Sequence, residues 1–172
     1  MENRLSFLPT RDLGIYPGIV FPVYVGREKS IKSLEKIISG EQNKMLFAMQ
    51  KDTLKEDPKL PEDVYTAGML VHVLQATKMP NKTVKLMVEG KARVIIENPR
   101  EEKEGGYTAG YTVVEPTNGD KKETHAIYRK ALEYYEQYTK FAAKVLPEVF
   151  VTLKSTKDLS GGLDLMADNM FL

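Results

Sequence analysis

The sequence predicts an α+β protein: a mainly antiparallel sheet with one helix over residues 1–116, then a helical subdomain over 117–172. Two observations predict it. Through most of the first two-thirds, apolar residues follow the two-residue alternation of strands, whereas beyond Glu123 they recur every three or four residues, as on a helix. Between the two regimes lies the stretch 116–122, rich in turn formers, where a boundary is expected.

Each element follows from local patterning. Residues 5–8 alternate loosely and are expected to stop at Pro9. Residues 19–25, Ile-Val-Phe-Pro-Val-Tyr-Val, are β-branched and aromatic, but Pro22 cannot donate to a ladder, which predicts an edge strand or a bulge closed by Gly26. Residues 30–39 read as the one helix of this part. Ile31, Leu34, Ile37 and Ile38 share a face, and Gly40 stands where a helix terminates. Residues 45–49 form a short, wholly apolar run suited to a buried strand, and the polar stretch 51–63, with Pro58 and Pro61, suits an exposed loop. Residues 68–77 and 83–96 alternate and face each other across Pro80-Asn81-Lys82, a hairpin in which Gly90 marks a bulge or bend. A further strand spans 107–115, entered through Gly105-Gly106. Beyond the boundary, Ile127, Ala131, Tyr134, Tyr138, Phe141 and Val145 define an amphipathic helix over 123–146. Pro147 ends it and opens a second helix through Leu153, residues 155–162 read as a breaker, and 163–170 begin a third helical pattern. Apolar residues remain unspent at Leu172, so a longer parent chain is expected.

Composition narrows the chemistry. The 172 residues contain no cysteine and only two histidines, His72 and His125, so thiol catalysis and a histidine-rich metal site are excluded. Charge is balanced, with 17 basic against 16 acidic residues through Glu115 and eight of each beyond it, unlike a dedicated nucleic-acid binder. No apolar run is long enough to span a membrane, and the N-terminus lacks the order of a secretory signal; a soluble cytoplasmic protein is the expectation.

No phosphate-cradling glycine loop ending in Lys-Ser or Lys-Thr is present, nor a Gly-x-Ser-x-Gly nucleophile turn. His72, in an alternating strand, reads as structural. Tyr128, Tyr134, Tyr135 and Tyr138 could stack on bases, but their helical spacing favours packing within the subdomain. Arg27, Lys29, Lys32 and Lys36 could hold a phosphate, yet Glu28 and Glu35 interleave with them, favouring a solvated helix face with i,i+4 pairs. The segment 15–22 is different: apolar side chains crowd between two prolines that obstruct regular pairing. Part of it is core; the remainder is expected to form an apolar patch that contacts unfolded chains, with Ile15, Tyr16, Ile19 and Phe21 as its candidate residues.

The same region carries a family likeness. Leu8-Pro9-Thr10-Arg11-Asp12, Tyr16-Pro17-Gly18, and the run from Phe21-Pro22-Val23 through Gly26-Arg27-Glu28-Lys29-Ser30-Ile31 resemble the opening of the N-terminal, substrate-binding domain of ATP-dependent Lon proteases. Tyr65-Thr66-Ala67-Gly68-Met69, Lys85 to Arg93, Leu146-Pro147-Glu148-Val149 and Asp164-Leu165-Met166-Ala167 extend the likeness along the chain. Thr10 departs from a usually apolar position, and Asn81-Lys82 replaces a common Asp-Gly turn. The resemblance implies a PUA-like β-rich domain followed by helices leading toward a coiled coil. It also implies a non-catalytic module that recognises unfolded or damaged proteins and supports assembly. In full-length members an ATPase that uses ATP and magnesium and a Ser–Lys peptidase follow, in a hexamer. No catalytic residue, metal or cofactor carries over to this stretch. A free-standing Lon-domain adaptor and a PUA-like RNA-binding module are the alternatives.

Overall fold

A computed structural model describes residues 4–11, 13–115, 120–141 and 147–170. It divides into two compact units, Met1–Glu115 and Pro116–Leu172. The first holds six strands, β1 (Leu5–Thr10), β2 (Val20–Val25), β3 (Lys44–Gln50), β4 (Val64–Lys78), β5 (Val84–Glu101) and β6 (Tyr107–Val113), with short helices α1 (Glu28–Lys32) and α2 (Glu35–Ile38). The second holds α3 (Lys121–Thr139), α4 (Pro147–Ser155) and α5 (Leu159–Asp168).

The 18-residue β5 organises the sheet. One of its edges is taken by β4; on the other, residues 84–89 pair with β2 and residues 94–101 with β6. β6 also pairs with β1, β1 runs parallel to β3, and β3 is antiparallel to β4, so β5, β4, β3, β1 and β6 close into a ring. β2 hangs on β5 alone. The sheet is therefore mainly antiparallel, with β1–β3 its one parallel strand pairing among the described residues, and Pro22 lies on an edge strand as its chemistry requires.

Two apolar cores cover opposite faces of the same strands. Leu8, Met45, Phe47, Met69, Val71, Leu86 and Val88 belong to one, and Phe7, Leu46, Ala48, Leu70, Val94 and Ile96 to the other. This is why the run 45–48 is apolar without alternation: both of its faces are covered. Each of these side chains larger than Ala48 contributes roughly 1.5–3 kcal/mol on burial.

Four local expectations need correction. β1 continues through Pro9, which faces Ala48 of β3; the imide is tolerated because no strand lies against the other edge of β1 at that level. The helix expected over 30–39 is two short ones, broken at Ser33. There the hydroxyl turns to accept the Tyr107 N–H at 2.6 Å, satisfying a buried donor at the start of β6. Gly40, at φ +81°, does terminate the second of them. The breaker expected over 155–162 is in part helical. Asp158 caps α5 by accepting the Gly161 N–H at 3.0 Å, and Gly162 lacks a side chain because Tyr128 lies against it. Finally, α3 begins two residues before the expected start; residues 116–119 and 142–146 of the expected boundary and helix lie outside the described residues.

Within the helical unit Tyr128, Tyr135, Leu153 and Met166 form the core. Tyr128 donates to Leu153 O at 2.8 Å, and Tyr135 packs against Tyr138 and Phe150. Tyr134 is exposed, with Lys130 over its ring. Among the described residues, no helix is long and apolar enough to cross a membrane.

Candidate functional site

The segment before β2 is fixed by Gly90. Its N–H donates to Ile19 O at 3.0 Å, its carbonyl accepts from Gly18 N at 2.9 Å, and Pro17 bridges to it. A Cβ at this position would strike Tyr16 O. Gly18 adopts φ +78° to close the turn that returns Ile19 N to Tyr16 O. Gly90 also sits at a register shift of β5 against β4. The expected bulge is there, and it receives the crossing segment.

This anchoring divides the four candidate residues. Ile15 points into the core and is 9% exposed. Tyr16, Ile19 and Phe21 are half-buried, and Phe21 packs against the same core. Ile15 and Tyr16 line a mainly apolar groove of about 430 Å³, whose other walls include Met49, Ala67, Ile95 and Val114. Ile19 and Phe21 do not line it. Met49, Ile95 and Val114 are 37%, 43% and 44% exposed, so the groove presents apolar atoms to solvent.

Sequence reasoning missed those three, although one signal was available. In Val94-Ile95-Ile96 the strand period puts Val94 and Ile96 inward, which leaves Ile95 outward. An outward isoleucine beside a buried pair marks a surface patch. Met49 and Val114 carry no comparable local signal, because they lie at strand ends that only the sheet brings together.

A second opening, of about 440 Å³, lies between the end of β1 (Leu8, Pro9, Thr10) and β2 with Gly26 and Arg27. Here the guanidinium of Arg27 donates to Pro9 O at 2.6 Å, Gln50 Oε1 at 2.6 Å and Glu56 O at 3.0 Å. Beside it, Lys29 bridges Asp57 and Glu101, each at 3.0 Å. The expected solvated face holds in part: Lys36 is exposed and Lys32 pairs with Glu28 at i,i+4, 4.0 Å apart, while Arg27 and Lys29 bind other segments. The ammonium of Lys29 holds the Asp57 carboxyl below its usual range. Burial, and then the Asp57 charge, push the Tyr107 hydroxyl up to about 12. A third depression of about 820 Å³ mixes Arg4, Lys32, Lys36 and Arg100 with Glu35 and Glu102, so it offers no single sign of charge to a ligand.

His72 is half-buried on β4, opposite Lys44 and Glu89. Among the described residues no three His, Cys, Asp or Glu side chains gather as a metal site would require. The chemistry on display is apolar contact and main-chain hydrogen bonding.

Comparison with known proteins gives this geometry a context. The family model described as the ATP-dependent protease La (LON) substrate-binding domain matches residues 4–172. A Lon protease of Fusobacterium nucleatum is 43% identical over 167 residues, covering 97% of this chain and 22% of that protein. The Lon protease of Escherichia coli is 36% identical over 167 residues, 97% of this chain and 21% of its own. The chain therefore spans about a fifth of the length of the curated relatives it matches. Among solved structures, the N-terminal domain of a Mycobacterium avium complex Lon protease superposes with a TM-score of 0.59 at 15% identity, covering 98% of this chain and all of that one. A Lon N-terminal domain protein from Xanthomonas campestris gives 0.54 at 15% identity, covering 98% of this chain and 99% of its own. These two likenesses establish the α+β fold.

Proposed function

The chain belongs to the Lon substrate-binding domain family, and on that premise we propose that it captures exposed apolar segments of unfolded or damaged proteins in the groove beside Tyr16. It does so as the non-catalytic N-terminal part of a cytoplasmic ATP-dependent serine protease. ATP, magnesium and the peptidase centre belong to the rest of that protein, which works as a hexamer.

The observation that carries this reading is the groove itself, with Met49, Ile95 and Val114 open to solvent. Folded proteins bury their large apolar side chains, so a surface that binds them selects chains that have lost their fold. Methionine suits such a surface because its unbranched, polarisable side chain adapts to varied partners. Affinity at one copy need only be modest, since six linked copies raise the effective local concentration.

Replacing Ile95 with Asp tests the assignment. Losing one aliphatic contact of about 1.5–3 kcal/mol weakens capture of an unfolded protein by roughly 10- to 100-fold per copy. The melting midpoint should barely move, because Ile95 is 43% exposed. Ile15→Asp serves as the contrast, since an unpaired charge in the core unfolds the domain. Unchanged capture by a folded Ile95→Asp protein overturns the groove as the binding face.

A further inference from the structure

β2 has a backbone edge that no strand among the described residues uses, and its chemistry is legible from the register. Gly90 N–H bonds Ile19 O, and the pairing then runs from Val20 opposite Glu89 to Val25 opposite Val84 without interruption. In an antiparallel ladder the hydrogen-bonded positions alternate. Phe21, Val23 and Val25 therefore direct their backbone groups to β5, while Val20, Pro22 and Tyr24 direct theirs the other way. Pro22, which has no N–H, stands at a position that owes β5 no donor. The free edge thus offers three carbonyls, from Val20, Pro22 and Tyr24, and two N–H groups, from Val20 and Tyr24.

Across the 440 Å³ opening stands the end of β1. Among the described residues β6 pairs with β1 only at Leu5 and Ser6, so Phe7 to Thr10 have β3 on one side and no described strand on the other. Arg27 already supplies one donor there, to Pro9 O at 2.6 Å. The free edge of β2 and the end of β1, whose Pro9 carbonyl Arg27 occupies, thus border one slot, and the exposed side chain of Tyr24 lines it.

We propose that the slot between β1 and β2 takes one extended segment of the substrate polypeptide as an added strand, hydrogen-bonded to the free edge of β2. An extended chain presents alternating donors and acceptors whatever its sequence, so main-chain pairing provides affinity without demanding particular side chains. That suits a domain that must accept many unfolded proteins, and the inference rests on the capture function proposed above. Pro22 also disfavours a second copy as the occupant. Pairing two β2 edges would set an imide without a donor into each half of a six-residue contact, which is how natural edges resist self-association.

The test uses the whole chain and a labelled decapeptide alternating valine and threonine between terminal lysines, titrated by fluorescence anisotropy. A set of peptides, each N-methylated at one residue, reads the mode. Strand addition predicts a period of two: methylation at alternate residues abolishes binding, and methylation at those between leaves it within about twofold. In the protein, Tyr24→Pro removes the second free-edge donor and is expected to weaken binding about tenfold, whereas Tyr24→Val keeps the donor and should bind within about threefold. Should Tyr24→Pro fail to fold, the methylation pattern on the unaltered protein decides alone. Binding that is indifferent to methylation position overturns strand addition while leaving capture at the groove standing. No binding of this peptide or of an unfolded protein overturns both. Concentration-dependent dimerisation that the peptide does not reverse assigns the edge to a second copy and overturns the proposal.

Discussion

Tyr107 is 3% exposed, and its hydroxyl donates to Asp57 Oδ1 at 3.3 Å, with Lys29 on the far side of the same carboxylate. The side chain belongs to the sheet and its partner to the 51–63 loop, so a phenol and an ion pair together tie the two. The titration of Tyr107 has a definite sign. Its folded-state value of about 12 stands above an unfolded value of about 10, so the folded chain holds the proton more tightly. Below pH 10 this contribution is fully present, and it is lost as pH rises through 12. Melting midpoints of the native protein should therefore fall more steeply between pH 10 and 12 than those of Tyr107→Phe, which keeps the ring and has no proton to lose. Parallel curves would show that the hydroxyl is indifferent to folding.

At the level of elements, the 51–63 loop shows what composition omits. Its prolines and charges announce exposure, and Leu54 is indeed 87% exposed. Yet Gln50, 1% exposed at the end of β3, gathers it: Nε2 donates to Asp52 O at 3.3 Å and Lys55 O at 2.9 Å while Oε1 accepts from Arg27. Gln50→Ala should cost about 1–3 kcal/mol in chemical denaturation, because it opens a buried site and removes the partners of the Lys55 carbonyl and of one Arg27 N–H. It should also speed tryptic cleavage after Lys55; unchanged cleavage would mean that other contacts hold the loop. The same example marks the limit of sequence reading. Strands with one covered face, the edge position of Pro22 and the bulge at Gly90 were legible, because each follows from a residue's own geometry. The split of the expected helix at Ser33 was not, since the Tyr107 N–H that the Ser33 hydroxyl accepts lies 74 residues away. Nor was the groove as a whole, because Tyr16, Met49, Ile95 and Val114 meet only after the sheet has closed. The expected patch gave one of its walls.

For the whole molecule, the two units differ in the means they have to stand alone. The sheet unit carries two cores, whereas the helical unit relies on Tyr128, Tyr135, Leu153 and Met166 with their neighbours. A chain of roughly 60 residues buries only about 60% of its unfolded surface and is correspondingly marginal. Residues 1–115 made alone are expected to keep their melting midpoint and their peptide binding, while residues 116–172 alone should be helical but melt early. Loss of fold in 1–115, followed by circular dichroism, would contradict that division. One further consequence follows from the pairing of Leu5 with Ala109 and Ser6 with Thr108. The first and last strands of the sheet unit are neighbours, so the order of connection is separable from the architecture. A circular permutant that joins the unit's ends by a short glycine-serine linker, and opens the chain at exposed Asn81, keeps every strand pairing. It should reach the same sheet and a similar melting midpoint. Its folding should be slower, because the β4–β5 hairpin, which with β5–β6 is among the most local strand pairings of the unit, becomes the most distant. Stopped-flow refolding beside the unpermuted unit measures that difference, and a permutant that never folds would show that the hairpin must form first.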